Sequence, residues 1–425
     1  MMVFTVEEIF QKPNKEANVA SFEDALNETR FGKFHYCLIF ISGIFMTSVF
    51  WEVMGINYVL PVAECDLNIT SKQQYGIVSG VWFLGIIVTS NLWGFVSDTY
   101  GRRNVLIIST LAALLTSVCS SLSANLWQLV LFRLLNGILL EKMSINGDEA
   151  RTIKIFQTMY YINTGKKDYR IVKIKPNEEF SEKHEQRHVT KMMLDQLIEL
   201  FRDYPRSISL VSTIQFCMYF VCNGMLLFFP DIVNERAMYL QTSSSSDVTL
   251  CEIVQHANRA TANASNVVDQ TRICVDELDI SAFYYALILE GCYTGGFFLL
   301  SVLVNYVGRL AIFTFVSFST GICGFLIVWI QNATVALYLY VWLLGSGVTV
   351  ILLNTVTYDL FPTHLRALAL GVSTMFGRLA SLMGGNIAGL MLERHCSAMY
   401  ILSGSISISA GILIFFIPNI RQKKY

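Results

Sequence analysis

Uncharged apolar runs, each long enough to cross a lipid bilayer, alternate with short charged or polar breaks along most of the chain. A hydrocarbon core of about 30 Å takes roughly 20 apolar residues in helical form. Runs of this kind lie near 34–60, 75–96, 105–124 and 126–140. Beyond a charged interval they resume near 208–230, 280–304, 310–330, 335–358, 368–392 and 399–418. Each is expected to be helical, because lipid admits only spans whose backbone hydrogen bonds close internally. The run 126–140 is short, rising about 22 Å at 1.5 Å per residue, and meets Glu141 and Lys142 directly. The first run follows a charged leader and exceeds the apolar stretch of a signal peptide, so a span is expected rather than a cleaved signal. The pattern predicts an all-α polytopic membrane protein, a helix bundle of about ten spans.

Composition narrows the class further. Of 425 residues 53% are hydrophobic and 15% charged, against roughly 25% charged in an average soluble domain. With the long uncharged runs, this excludes a soluble enzyme, a disordered chain and a nucleic-acid binder. The ten cysteines form no CxxC pairs. A zinc ribbon and a disulfide-dense scaffold are excluded, and no metal or cofactor is expected.

Charge sets an orientation. With the leader in the cytoplasm, most basic residues fall on segments that share its side. Only Lys72, Arg236, Arg259, Arg272 and Arg394 fall on the opposite side, and Arg133 and Arg378 lie inside spans. Positive charge favours the inner side, so both termini are expected to be cytoplasmic, in a plasma or vesicle membrane. Asn68-Ile69-Thr70 and Asn263-Ala264-Ser265 are glycosylation sequons on outer loops. Asn332-Ala333-Thr334 is outer too but close to the membrane, and Asn27-Glu28-Thr29 is on the wrong side. In the outer loop 231–279, Cys251 and Cys274 are either a disulfide, which an oxidising lumen permits, or two free thiols.

A repeat is visible on the inner face. Gly94-Phe-Val-Ser-Asp98-Thr-Tyr-Gly101-Arg102-Arg103 joins the second and third runs, and Asn305-Tyr-Val-Gly308-Arg309 joins the sixth and seventh in weaker copy. Glycines allow a tight turn, and an acid followed by arginines staples two helix ends. Four spans follow Arg309, but only two follow Arg103 before the charged loop. The arithmetic is that of twelve spans with two absent from the first half. The expected divisions are a leader (1–33), a truncated four-span half (34–140), a central loop (141–207), a six-span half (208–418) and a tail (419–425).

The Gly94 to Arg103 motif is similar to the inner-loop signature of the major facilitator superfamily. Other stretches resemble its synaptic vesicle glycoprotein 2 and related-protein branch. These are Ser21-Phe-Glu-Asp-Ala-Leu with Phe31-Gly-Lys-Phe, Trp51-Glu-Val-Met-Gly through Leu60-Pro61 to Cys65-Asp66-Leu67, and Phe132-Arg133-Leu-Leu-Asn136-Gly137. Tyr161-Ile-Asn-Thr-Gly165-Lys166, Gln215-Phe through Asn223-Gly224 to Phe229-Pro230, Tyr358-Asp359-Leu-Phe361-Pro362-Thr363 with Arg366, and Phe376-Gly377-Arg378 complete the set. The resemblance implies a transporter-like bundle, and in such relatives two further helices precede the Asn-Thr-Gly loop. It does not settle which small solute or ion is carried.

Ionisable residues at membrane depth are costly and mark function by default. Glu52, Arg133, Glu290 and Arg378 are the candidates, with Glu52 or Glu290 the expected partner of Arg378. A fixed ion pair that only sets helix packing is the plainer reading of each. Asn223, Asn354, Thr355 and Asn386 are candidate cavity groups or ordinary interhelical hydrogen bonders. Gly371, Gly377, Gly384, Gly385 and Gly389 give the ninth run a small-residue face, read as close packing. His184-Glu185-Gln186-Arg187-His188 matches the zinc motif HExxH. Its charged setting, with no third ligand and no catalytic domain, suits an amphipathic helix over 181–203 better, with Val189, Met192, Met193, Leu197 and Leu200 under the bundle. No P-loop, dinucleotide fingerprint or hydrolase elbow is present. The reading is therefore a gradient-driven transporter rather than an enzyme, with self-association open. A non-transporting membrane scaffold and a membrane metalloprotease are the alternatives.

Overall fold

The computed structural model describes residues 18–20, 22–63, 66–67, 69, 71–100, 102–140, 149–166, 171–174, 187–242, 248–266, 280–362 and 364–417. Every apolar run expected to span is helical. In chain order these are α2 (Lys33–Val62), α3 (Lys72–Tyr100), α4 (Arg102–Ser121), α5 (Leu126–Leu140), α8 (Pro205–Leu226), α11 (Ile280–Val307), α12 (Arg309–Trp329), α13 with α14 (Ala333–Leu344, Gly347–Leu360), α15 (Arg366–Arg394) and α16 (Cys396–Leu413). Among the described residues, 7 helical stretches are long and apolar enough to cross a membrane, and two shorter apolar helices lie in α4 and α5. This is an all-α polytopic membrane protein. Among the described residues a short parallel pair of strands, β1 (Asn18–Ala20) and β2 (Ile171–Ile174), accompanies the helices.

The polar segments add helices that hydropathy alone does not reveal: α1 (Phe22–Glu28), α6 (Glu149–Thr164), α7 (Arg187–Asp203), α9 (Phe229–Thr242) and α10 (Leu250–Asn266). Contacts divide the chain into two compact units that do not follow the expected halves. One is residues 1–48 with 144–189; the other is 49–143 with 190–425.

In the smaller unit, the leader and central loop fold together. β1 pairs with β2, and Ala25, Thr29, Phe156 and Met159 are buried. Asn163 supplies the cap of α2. Its Oδ1 accepts the Phe34 N–H at 2.9 Å, and its Nδ2 donates to the Thr29 and Arg30 carbonyls at 3.0 and 2.6 Å. A helix start leaves such donors unsatisfied unless something caps them. Two of the family-like motifs, far apart in sequence, meet at this cap.

In the larger unit, helices approach through small residues. A Cβ on Gly76 would stand 2.7 Å from the Gly385 carbonyl, and one on Gly137 would stand 2.2 Å from the Trp82 carbonyl. Close backbone approach of this kind drives helix association where lipid supplies no hydrophobic contrast. The expected small face of α15 is used as read: Gly377 meets Tyr219, Gly384 meets Phe220 and Gly224, and Gly389 meets Lys72. Gly371 has open space. The eighth span breaks at Gly345-Ser346, between α13 and α14. Asn332 caps α13, its Oδ1 accepting from the Thr334 and Val335 N–H groups at 3.0 and 3.2 Å.

Of the expected helix over 181–203, residues 187–203 are helical as α7 and 181–186 lie outside the described residues; Leu200 of α7 is buried against Ile208, Phe361, Leu365 and Ala369. Leu197 is half-buried, whereas Leu194, Ile198 and Phe201 are exposed. The side chains of Val189, Met192 and Met193, and the HExxH at 184–188, lie outside the described side chains.

Candidate functional site

The charged residues of the first span group converge on Glu52. Arg133 on α5 donates through Nη1 to the Glu52 carbonyl at 2.8 Å and to its Oε1 at 3.4 Å, and through Nη2 to the Val53 carbonyl at 3.3 Å. Asn136, one turn along α5, donates to Glu52 Oε1 at 2.6 Å, and Ser117 on α4 donates to Oε2 at 2.9 Å. The Arg133 side chain is 4% exposed and that of Glu52 26%. Three helices thus tie one carboxylate, the arrangement a buried charge needs if it is not to be destabilising. Glu52 was expected, as an alternative to Glu290, to partner Arg378; its carboxylate meets Arg133, Asn136 and Ser117. Arg378 is half-buried on α15, and Glu290 is exposed on α11.

One turn further along α2 lies a cleft shared by both span groups. Val53, Met54 and Asn57 of α2, Ser79, Gly80 and Phe83 of α3, Asn223 and Leu227 of α8, and Ser381 and Gly385 of α15 line a cavity of about 20 Å³. That is room for about one water molecule. Ser79 Oγ donates to Asn57 Oδ1 at 3.2 Å, and Asn223 Nδ2 donates to Ser381 Oγ at 2.8 Å. Each side of the cleft therefore presents one amide–hydroxyl pair. A larger open recess of about 370 Å³ lies along α8 and α15 beside the end of α7, lined by Phe201, Ile208, Ser209, Ser212, Thr213, Phe216, Phe376 and Leu379. Ser212, Phe216, Asn223 and Leu227 are spaced by four, seven and four residues, which keeps them on one face of α8.

Asn354 and Asn386 serve elsewhere. Asn354 Oδ1 accepts from Gln215 Nε2 at 3.2 Å, and Asn386 Nδ2 donates to the Leu382 carbonyl of its own helix at 2.8 Å. Thr355 likewise bonds its own helix at Leu352.

Lys72 at the start of α3 lies 2.8 Å from Asp231 Oδ2 and 2.6 Å from Glu235 Oε1, both on α9. Its backbone N–H donates to Glu393 at the end of α15. Burial alone would lower the pKa of this lysine, but Asp231 and Glu235 outweigh it and hold the ammonium well above its ordinary value. Beside this cluster the disulfide runs from Cys251 to Cys396, with Cα atoms 5.6 Å apart. The expected partner Cys274 is thereby corrected: the start of α16 carries the thiol that α10 reaches.

At the opposite helix ends Arg309 and Asp359 form an ion pair between α12 and α14, and Arg366 Nε donates to the Phe361 carbonyl at 3.0 Å. Gly308, between α11 and α12, has φ 88°, a conformation open to glycine and strained for other residues. In the first-half copy of this motif, α3 ends at Tyr100 and α4 begins at Arg102. Gly101 and the side chains of Asp98, Arg102 and Arg103, with Gly94 among them, lie outside the described side chains, as do those of Asn68, Asn263 and Cys274.

Sequence reasoning singled out Glu52, Arg133 and Asn223 but missed Asn57, Ser79, Ser117 and Ser381 as their neighbours. It also treated Lys72 only as a loop charge. The available signal was modest: Arg133 and Asn136 stand three apart on one helix face.

The described helices thus hold a tied carboxylate in one span group and a small polar cleft between groups. The model of the Major Facilitator Superfamily matches residues 37–141. The chain is 33% identical over 128 residues to the synaptic vesicle 2-related protein of Xenopus laevis, covering 30% of this chain and 23% of that one. It is 29% identical over 128 residues to synaptic vesicle glycoprotein 2A of Rattus norvegicus, covering 30% and 17%. To organic cation/carnitine transporter 7 of Arabidopsis thaliana it is 28% identical over 116 residues, covering 27% and 23%. The chain thus spans less than a quarter of the length of the curated relatives it matches. Over residues 37–141 the chain is thus similar to the major facilitator superfamily, and over a comparable stretch to synaptic vesicle glycoprotein 2-related proteins.

Proposed function

We propose that the chain is a transporter of the major facilitator type, short of helices that coupled transport needs, and that it takes a small organic solute or ion at the cleft between α2 and α3 on one side and α8 and α15 on the other once that cleft opens beyond its room for about one water. The observation that carries this reading is the pairing of Asn57 with Ser79 and Asn223 with Ser381 across that cleft. These are uncharged groups that both donate and accept, contributed by both span groups at the depth where such bundles hold their ligands. Glu52, tied by Arg133, is the coupling candidate. The recess along α8 is the approach from the leader's side.

The leader, central loop and tail belong on the cytoplasmic side in this reading, and Asn68 and Asn263 on the outer side. Glycosidase treatment of microsomes should shift the band, and Asn263→Gln should remove part of the shift. Glycan on Asn27 instead would overturn the orientation.

The test of function is ligand-dependent stabilisation of the purified chain across organic cations, zwitterions and sugars. A saturable rise in melting temperature that Asn223→Ala or Ser381→Ala abolishes supports the reading. A panel that shifts neither the native chain nor its variants overturns it.

A further inference from the structure

The cap that Asn163 places on α2 fixes the depth of the central-loop helix α6. Residues from 34 onward form the first apolar run, so the Phe34 N–H lies where the chain enters the bilayer. Asn163 Oδ1 accepts that N–H at 2.9 Å, and the C-terminal end of α6 must therefore sit at the same level. The contact is close. A Cβ on Gly32 would stand 2.9 Å from Asn163 Oδ1, and Arg30 is held at φ 52° with its carbonyl accepting from Asn163 Nδ2 at 2.6 Å.

The side chains around this contact face outward and are of two kinds. Phe31 is 66% exposed, Tyr36 65%, Tyr161 40% and Ile162 41%, with the Phe31 ring stacked on His35 and set edge-on to Tyr36. Arg30, Lys33 and Lys166 are exposed beside them and Glu28 is half-buried, while Glu23 and Asp24 of α1 and Asp168 lie close by in sequence with side chains outside those described. Aromatic rings with basic neighbours at the entry point of a span match the headgroup layer, where rings settle at the interface and ammonium or guanidinium groups meet phosphate.

We propose that the junction of the leader with α6, centred on Asn163, is a binding surface for anionic phospholipid headgroups. Phe31, Tyr161 and Ile162 enter the interface, and Arg30, Lys33 and Lys166 contact the phosphates. The central loop is then a peripheral membrane element latched to the first span rather than a free tether. Charge complementarity and covalent continuity with α2 select lipid as the occupant. The proposal rests on reading α2 as a span from residue 34, not on any solute being carried.

The experiment is amide hydrogen exchange on the full chain in nanodiscs of phosphatidylcholine, with or without phosphatidylserine. In the anionic discs α6 should exchange more slowly, by at least roughly fivefold, the effect of one basic residue at an anionic surface. High salt should remove the gain. The triple variant Arg30→Gln, Lys33→Gln, Lys166→Gln should show the same α6 exchange in both lipids, with α8 and α15 unchanged as the control for folding. Asn163→Ala should speed α6 exchange in both lipids by releasing the latch. Equal α6 exchange of the native chain in the two lipids would overturn the proposal, as would an undiminished gain in the triple variant, which would point to a protein partner or a lipid-independent fold. Free exchange along α2 itself would instead show that the span reading had failed.

Discussion

Lys72 and Glu235 stand 2.6 Å apart although 163 residues separate them, and their contact joins the start of α3 to α9. With Asp231 at 2.8 Å, the lysine answers two carboxylates whose side chains are 12% and 15% exposed. Removing it takes from both acids the ammonium that each contacts. Lys72→Met is expected to destabilise the bundle by about 3–5 kcal/mol, the usual result of breaking a buried pair from one side. The triple change with Asp231→Asn and Glu235→Gln should recover much of that loss. Because the lysine pKa is raised on folding, its contribution is fully present below the unfolded value, about 10.4, and falls as pH climbs through the higher folded one. The gap in melting temperature between the native chain and Lys72→Met should therefore stay constant from neutral pH to about 9. A gap that closes on mild alkalinisation would contradict this.

The disulfide between Cys251 and Cys396 closes a separation of 145 residues. Constraining a loop of that length typically adds about 2–4 kcal/mol. Cys396→Ser and Cys251→Ser should each lower the melting temperature to the same extent, and the double variant should add nothing. Peptide mapping under non-reducing conditions should recover a cross-linked fragment holding both residues. Recovery of Cys251 joined to Cys274 would show the assignment wrong.

Glu52 and Arg133 should behave as a coupled pair with unequal halves. Glu52→Gln leaves Arg133 its two backbone acceptors, the Glu52 and Val53 carbonyls, so the cost should be about 1–2 kcal/mol. Arg133→Leu leaves the carboxylate with Asn136 and Ser117 alone, and a cost of about 3 kcal/mol or more is expected. A double-mutant cycle read by denaturation in detergent should give a coupling above about 1 kcal/mol. Strictly additive losses would mean that the pair contributes nothing as a pair.

The sequence made the spans legible because length and the absence of charge suffice to mark a lipid crossing. The cleavage of the eighth span at Gly345-Ser346 was not legible, since a glycine–serine step is common in continuous membrane helices. Glu52 and Arg133 stood out singly, as charges at depth. Their partnership depends on the rotation of α2 against α5 across 81 residues, and no local pattern encodes it. Arg309 and Asp359 were both in the inner-loop motif, and their pairing likewise waited on the fold. Cys251 and Cys274 were read as either a disulfide or two free thiols because both lie in one loop, but Cys251 of α10 instead bonds Cys396 at the start of α16. Short polar residues such as Ser79 and Ser381 carry no mark that separates a cavity wall from an ordinary interhelical bond.

Coupled transport is the most exacting test of this bundle. Alternating access needs two rigid units that rock about a midplane site. Here the first group holds α2 to α5, and the arithmetic of the inner-loop repeat leaves it two helices short. The consequence falls on α11, where Phe283, Tyr284, Leu287, Phe298 and Leu299 are exposed and Glu290 is exposed among them. On α4, Leu111, Leu114, Leu115 and Val118 are exposed as well. A carboxylate at membrane depth is costly against bare lipid, by at least ~2.5 kcal/mol on the lenient insertion scale, and irregular polar walls are tolerated only where protein or water covers them. A conduit open on that side cannot hold solute and gradient together. The 425-residue chain should therefore bind solute at its cleft yet accumulate little of it. In proteoliposomes with an imposed proton gradient, uptake should match that of a Glu52→Gln, Arg378→Ala control, and cross-linking should report whether a second copy is present to cover α11. Saturable accumulation driven by the gradient, above that control and in the monomeric fraction, would show that four helices make a sufficient first half.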